Sequence, residues 1–160
     1  MRIPLSLLCI FAITIISASC QKEFEDPNIS VIPPASSLDT FQVDIDGIAF
    51  PTYGISSTNT LNIINLLASD VQSVKKVSIT IPATIAAGSY PLDYQGMVYY
   101  GIYYFDASNF LVSDPGIITI ISNNTSTKRI RGTFDFNATD LTTGTAINFL
   151  TNGYFSVKYP

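Results

Sequence analysis

The 160-residue chain contains no histidine and no tryptophan, and only two cysteines, Cys9 and Cys20. Without histidine, Ser-His-Asp and Cys-His nucleophile systems and imidazole metal sites are excluded. Charge is also scarce. Eight Lys and Arg against twelve Asp and Glu give a net charge of −4, with 12% of residues charged. A basic nucleic-acid-binding surface does not fit that balance, so no nucleic-acid partner is expected. Helical periodicity is missing as well: no window of helix length carries a 3.6-residue apolar stripe.

What is present begins with a leader. Met1-Arg2 is followed by an apolar run from Ile3 to Ile16. The run is shorter than the roughly 20 residues a membrane-spanning helix needs, and fits the apolar region of a signal peptide. Ser17-Ala18-Ser19-Cys20 ends it. This resembles a bacterial lipobox, in which the cysteine is acylated and becomes the first mature residue, with Ser17 standing where an aliphatic residue is usual. The alternative is an ordinary secretory leader with a coincidental cysteine. On the lipobox reading residues 1–19 are removed and Cys20 is the lipidation site. The membrane is then a partner through its acyl chains, each buried methylene contributing about 0.8 kcal/mol. Residues 20–39, with Pro27, Pro33 and Pro34 among polar residues, read as an extended tether. Residues 40–160 read as the folded domain.

That domain is patterned as β-structure. Segments rich in Val, Ile, Thr, Tyr and Phe recur between Gly, Pro, Asn and Asp clusters. Strands are expected at 41–45, 48–50, 60–68, 73–81, 88–92, 98–105, 116–122, 128–138, 145–150 and 154–159. About ten short strands with closely spaced turns indicate an all-β antiparallel sandwich or flattened barrel. Between Arg129 and Ala138 every even position is apolar or Gly and every odd one is polar, so one face is expected in the core. Thr151-Asn152-Gly153 reads as a hairpin loop with Gly153 left-handed, pairing Phe149 with Phe155 and Ile147 with Val157.

Taken in order, Phe41-Gln42-Val43-Asp44-Ile45-Asp46-Gly47, Gly88-Ser89-Tyr90, Gly116-Ile117-Ile118-Thr119-Ile120, Gly132-Thr133-Phe134-Asp135-Phe136 and Thr151-Asn152-Gly153-Tyr154-Phe155 carry a resemblance. Together with the leader they resemble a family of small Bacteroidota lipoproteins catalogued as a domain of unknown function. The resemblance implies an all-β extracytoplasmic module and brings no catalytic residues. Lys22 and the acidic residues after Cys20 resemble the surface-export signal of such lipoproteins, leaving a periplasmic or a surface-exposed position open at the outer membrane.

Few residues suggest chemistry. Asp44-Ile45-Asp46-Gly47 is a fragment of a calcium-loop pattern, but the twelfth position from Asp44 is Ile55 where an EF-hand needs Glu, so Asp46-Gly47 reads as a turn. No metal site and no cofactor are expected. The remaining acids of the domain are Asp residues beside turn formers. Asp135 is expected to pair with Arg129 or Arg131, and an Asp-based hydrolase is the least favoured reading. The aromatic segment Tyr99, Tyr100, Tyr103 and Tyr104 is the candidate ligand-binding site. On a strand Tyr100 and Tyr104 share one face, and Tyr99 and Tyr103 the other. An exposed pair offers an apolar surface with polar tips to a sugar ring or an apolar peptide, while core packing is the competing use of the same rings. The expected role is a non-enzymatic, lipid-anchored cell-envelope protein binding a glycan or protein ligand. The alternative is a structural component that pairs through an edge strand.

Overall fold

The computed structural model describes residues 38–160. The leader, Cys20 and the tether up to Ser37 lie outside the described residues. Among those described there is no helix, and ten antiparallel strands form one curled sheet, a half-barrel. The strands are β1 (Thr40–Ile45), β2 (Ile48–Ala49), β3 (Gly54–Thr60), β4 (Ile63–Ser69), β5 (Lys76–Pro82), β6 (Gly88–Pro91), β7 (Tyr100–Tyr104), β8 (Phe110–Asn124), β9 (Arg129–Thr139) and β10 (Ala146–Lys158). Their order across the sheet is β2-β1-β10-β9-β8-β7-β5-β4-β3, with β6 on β8.

Period-2 patterning sets the inner face. Ile130, Gly132, Phe134, Phe136 and Ala138 of β9 are all buried, as their alternation requires. Ile64, Leu66 and Ala68 of β4 and Val77, Ile79 and Ile81 of β5 are likewise closed off from solvent. Each large side chain buried in this way contributes about 1.5–3 kcal/mol. At the centre Phe134 lies 5.4 Å from Phe41, 6.1 Å from Phe136 and 6.3 Å from Phe155, ring centre to ring centre.

Two glycines make that aromatic centre fit. Gly132 pairs with Phe155 and Gly153 with Phe134 across β9 and β10. A Cβ on Gly132 would stand 2.7 Å from the Phe155 ring, and one on Gly153 would stand 2.3 Å from the Phe134 carbonyl oxygen. The two Gly-x-Phe motifs are therefore one reciprocal unit, each glycine making room for the other strand's ring.

Three expectations from the sequence are corrected. The segment expected as a hairpin is the single strand β10, Ala146–Lys158: Thr151 and Asn152 form a bulge opposite Asp135, and β10 runs on, paired with β9 on one side and β1 on the other. Asn152, at φ 54°, carries the left-handed turn, and Gly153 does not. Ile147 and Phe149 are exposed while Phe155 and Val157 are buried, so the expected cross-strand pairs do not form. Second, the polar stretch Gly54–Thr60 is a full edge strand, and the expected strand from Thr60 straddles a turn in which Leu61 and Asn62 both have positive φ. Third, β8 extends through Asp114-Pro115, which a register shift between Ser113 and Gly116 absorbs.

Candidate ligand-binding surface

The strand β7 distributes its tyrosines as alternation dictates. Tyr103 points inward and is 4% exposed, whereas Tyr100 and Tyr104 lie half-buried on the outer face. Tyr99, just before the strand, packs on the core with its ring 4.9 Å from that of Tyr90. Residues remote in sequence complete the outer cluster. Tyr94 meets Tyr100 edge-on at 5.3 Å and 81°, and Phe110 lies 5.9 Å from Tyr104. Burial raises the Tyr104 phenol above its ordinary value of 10.0, and the neighbouring Tyr100 and Tyr94 hydroxyls raise it further. The structure thus gathers Tyr94, Tyr100, Tyr104 and Phe110 and leaves Tyr99 and Tyr103 apart from them. Phe110 carries no signal in the sequence beyond its place at the far side of the Asp106–Asn109 turn.

That turn and the loop bearing Tyr94 are held by short hydrogen bonds. Asp106 accepts the side-chain amide of Asn109 and the N–H groups of Ser108 and Asn109, which together hold its carboxyl below the usual value. Tyr94 N–H donates to Ser113 and Leu92 N–H to Gly116, fastening the loop to β8. Aromatic rings fixed in this manner lose little freedom on binding a ligand.

The chain matches a family model, Domain of unknown function (DUF6252), over residues 37–157. The chain belongs to this family. The match runs from just ahead of β1 to the last turn of pleat in β10. No curated protein and no solved structure matches the chain.

Elsewhere on the DUF6252 domain, Asp46-Gly47 forms the expected turn, both residues having positive φ. The Asp46 carboxylate accepts the Asn148 side-chain amide at 2.6 Å and the Phe149 N–H at 2.8 Å, and Asp44 accepts the Asn152 amide at 2.9 Å. Among the described residues no three His, Cys, Asp or Glu side chains converge as metal ligands. Arg129 pairs with Asp39 at 3.0 Å, and Asp135 instead takes the Asn152 N–H.

Two further hollows were not foreseen from the sequence. One, of about 380 Å³, lies between Ile117, Asp135 and Phe149 on the outer face of β8–β10. Desolvation there raises the Asp135 carboxyl above its ordinary value, against the lowering effect of the Asn152 N–H. The other, of about 560 Å³, opens along the unpaired edge of β1 between Phe41, Val43, Thr52 and Ile55. The Thr52 hydroxyl is buried there without a hydrogen-bond partner.

Proposed function

We propose that the chain is a lipid-anchored, non-enzymatic cell-envelope protein that displays its DUF6252 domain and binds a glycan on the outer face of β7. The observation that carries this reading is the cluster of Tyr94, Tyr100, Tyr104 and Phe110, half-buried to exposed and held in place by the Asp106–Asn109 turn. Sugar C–H faces stack on such rings, while phenol hydroxyls hydrogen-bond to ring hydroxyls. The leader and Cys20 support anchoring, and residues 21–39 supply reach from the membrane. Two measurements test the reading. A palmitate analogue should label the protein and fail to label Cys20→Ala; equal labelling of both would end the anchor claim. The detergent-solubilised full chain should retain glycans on an array and lose them in Tyr100→Ala and Tyr104→Ala. Retention unchanged in both variants would remove the β7 face as the site.

A second reading, pairing within an envelope complex, is favoured by the free edge of β1. From Thr40 to Gln42 that edge has no strand beside it, the Val43 carbonyl already accepting the Phe50 N–H, and the unpartnered Thr52 hydroxyl borders the same hollow. An extended partner strand would supply the missing hydrogen bonds. A photo-crosslinker at exposed Gln42 that captures one defined polypeptide, in a protein indifferent to Tyr100→Ala, would favour this reading over the first.

A further inference from the structure

At the end of the sheet where β1 finishes, β4 turns into β5 and β7 terminates, a cavity of about 380 Å³ brings together Asp46, Asp70, Lys75 and Tyr103, with Phe50 and Pro51 on its apolar wall. It is separate from the outer aromatic face. Tyr103 enters it from the core. The side chain is 4% exposed, yet its hydroxyl makes no hydrogen bond to any described residue. The hydroxyl is not sealed off: it opens to the cavity, where it is left to bond a ligand rather than another side chain. Asp46 and Asp70 line the same cavity as Tyr103, and burial raises the Tyr103 phenol above 10.0, with the negative charges of the two carboxylates raising it further.

Both carboxylates are fixed in orientation. Asp46 is held by Asn148 and the Phe149 N–H, and Asp70 accepts the Val74 N–H at 2.9 Å through one oxygen. Lys75, at the exposed rim, forms no ion pair with either. The cavity therefore holds two carboxylates against one unpaired ammonium, and its charge favours a cation. A bare metal ion would want more anionic ligands than these, and would leave the apolar wall unused.

We propose that this cavity binds a small organic cation, an ammonium on a short hydrocarbon stem. The carboxylates of Asp46 and Asp70 receive the charge, the Tyr103 oxygen accepts one ammonium N–H, and the stem lies on Phe50 and Pro51. Free alkylamines and lysine side chains of a peptide share this chemistry.

The test is a nuclear magnetic resonance titration of the full chain with n-butylammonium, butan-1-ol, butyrate and lysine blocked at both its amino and carboxyl ends. Butylammonium should bind about tenfold more tightly than butan-1-ol, the scale of a charged hydrogen bond, and butyrate should bind least. Asp70→Asn and the double variant Asp46→Asn/Asp70→Asn should weaken butylammonium progressively. Asn keeps the left-handed turn at position 46, so the fold should survive, as circular dichroism would verify. Tyr103→Phe should weaken binding with the thermal midpoint little changed. Blocked lysine binding as well as butylammonium would assign the site to a peptide side chain, and binding of the free amine alone to a small molecule. Equal affinity for butylammonium and butan-1-ol, or a folded double variant with undiminished affinity, would overturn the proposal.

Discussion

At the residue scale the clearest demand is made by the glycines that face aromatic rings. Gly153 needs no unusual φ; it needs the absence of a Cβ, because Phe134 of the paired strand occupies that space. Gly153→Ala should therefore destabilise the protein by about 1–3 kcal/mol in denaturant unfolding, the cost of forcing extra volume into a packed centre. Gly153→Val should cost more. Gly47→Ala makes the contrast: it has φ 78° and open space around it, so only backbone strain of about 1 kcal/mol is expected. Equal losses at the two positions would contradict the role given to Phe134. Asp135 yields a prediction in pH. Its carboxyl is raised in the folded state, so the folded protein resists its ionisation and is disfavoured as pH climbs past the unfolded value of 3.8. Asp135→Asn keeps an acceptor for the Asn152 N–H and removes that charge. It should stabilise the protein at pH 7, by no more than about 0.5 kcal/mol at so exposed a site, and the gain should vanish below pH 3.8.

Among elements, β1 and β10 are bound by more than their ladder. The Asp46 carboxylate at the β1–β2 turn reaches across to the Asn148 amide and the Phe149 N–H, pinning the turn to the outer arm of β10. Asp46→Ala removes both bonds and puts alanine at φ 54°, and should cost about 1–3 kcal/mol. Asp46→Asn retains the turn and one of the two acceptor oxygens, and should recover part of that loss in the same unfolding measurement. The long strand β10 also marks how far the sequence could be read. Alternation alone located β9 and the tyrosine faces of β7, since both depend only on residues two apart. The signal Asn152-Gly153 is shared by tight turns and by bulges, and what separates them is the strand lying across: Asp135 and Phe134 of β9, placed there by tertiary pairing. The strand β3 escaped notice because Ser56, Ser57, Thr58 and Asn59 show almost no apolar alternation, as suits an edge. In the aromatic cluster Tyr100 and Tyr104 could be paired by spacing, whereas Phe110 reaches Tyr104 only because β7 and β8 are neighbours.

For the whole molecule, the question is how a curled sheet with two free edges holds its shape. The order β2-β1-β10-β9-β8-β7-β5-β4-β3 leaves β1 and β3 at or near opposite edges with no ladder joining them. Two side-chain bonds bridge the ends instead: Ser57 Oγ donates to the Lys158 carbonyl at 2.7 Å, and Asn59 Nδ2 donates to the Pro160 carbonyl at 3.3 Å. Each such exposed bond is worth about 0.5–1.5 kcal/mol, little beside the continuous ladders of β8, β9 and β10. The domain has no cysteine to reinforce the gap. Opening should therefore start at the seam. In native-state hydrogen exchange, the amides of β3 should open at lower free energy than those of β9, which is paired on both sides. Ser57→Ala combined with Asn59→Ala should lower the opening free energy of β3 further and leave β9 unchanged. If β3 and β9 instead exchanged together at the global unfolding free energy, the seam would be as firmly closed as the ladders, and the free edge of β1 would no longer be available to a partner strand.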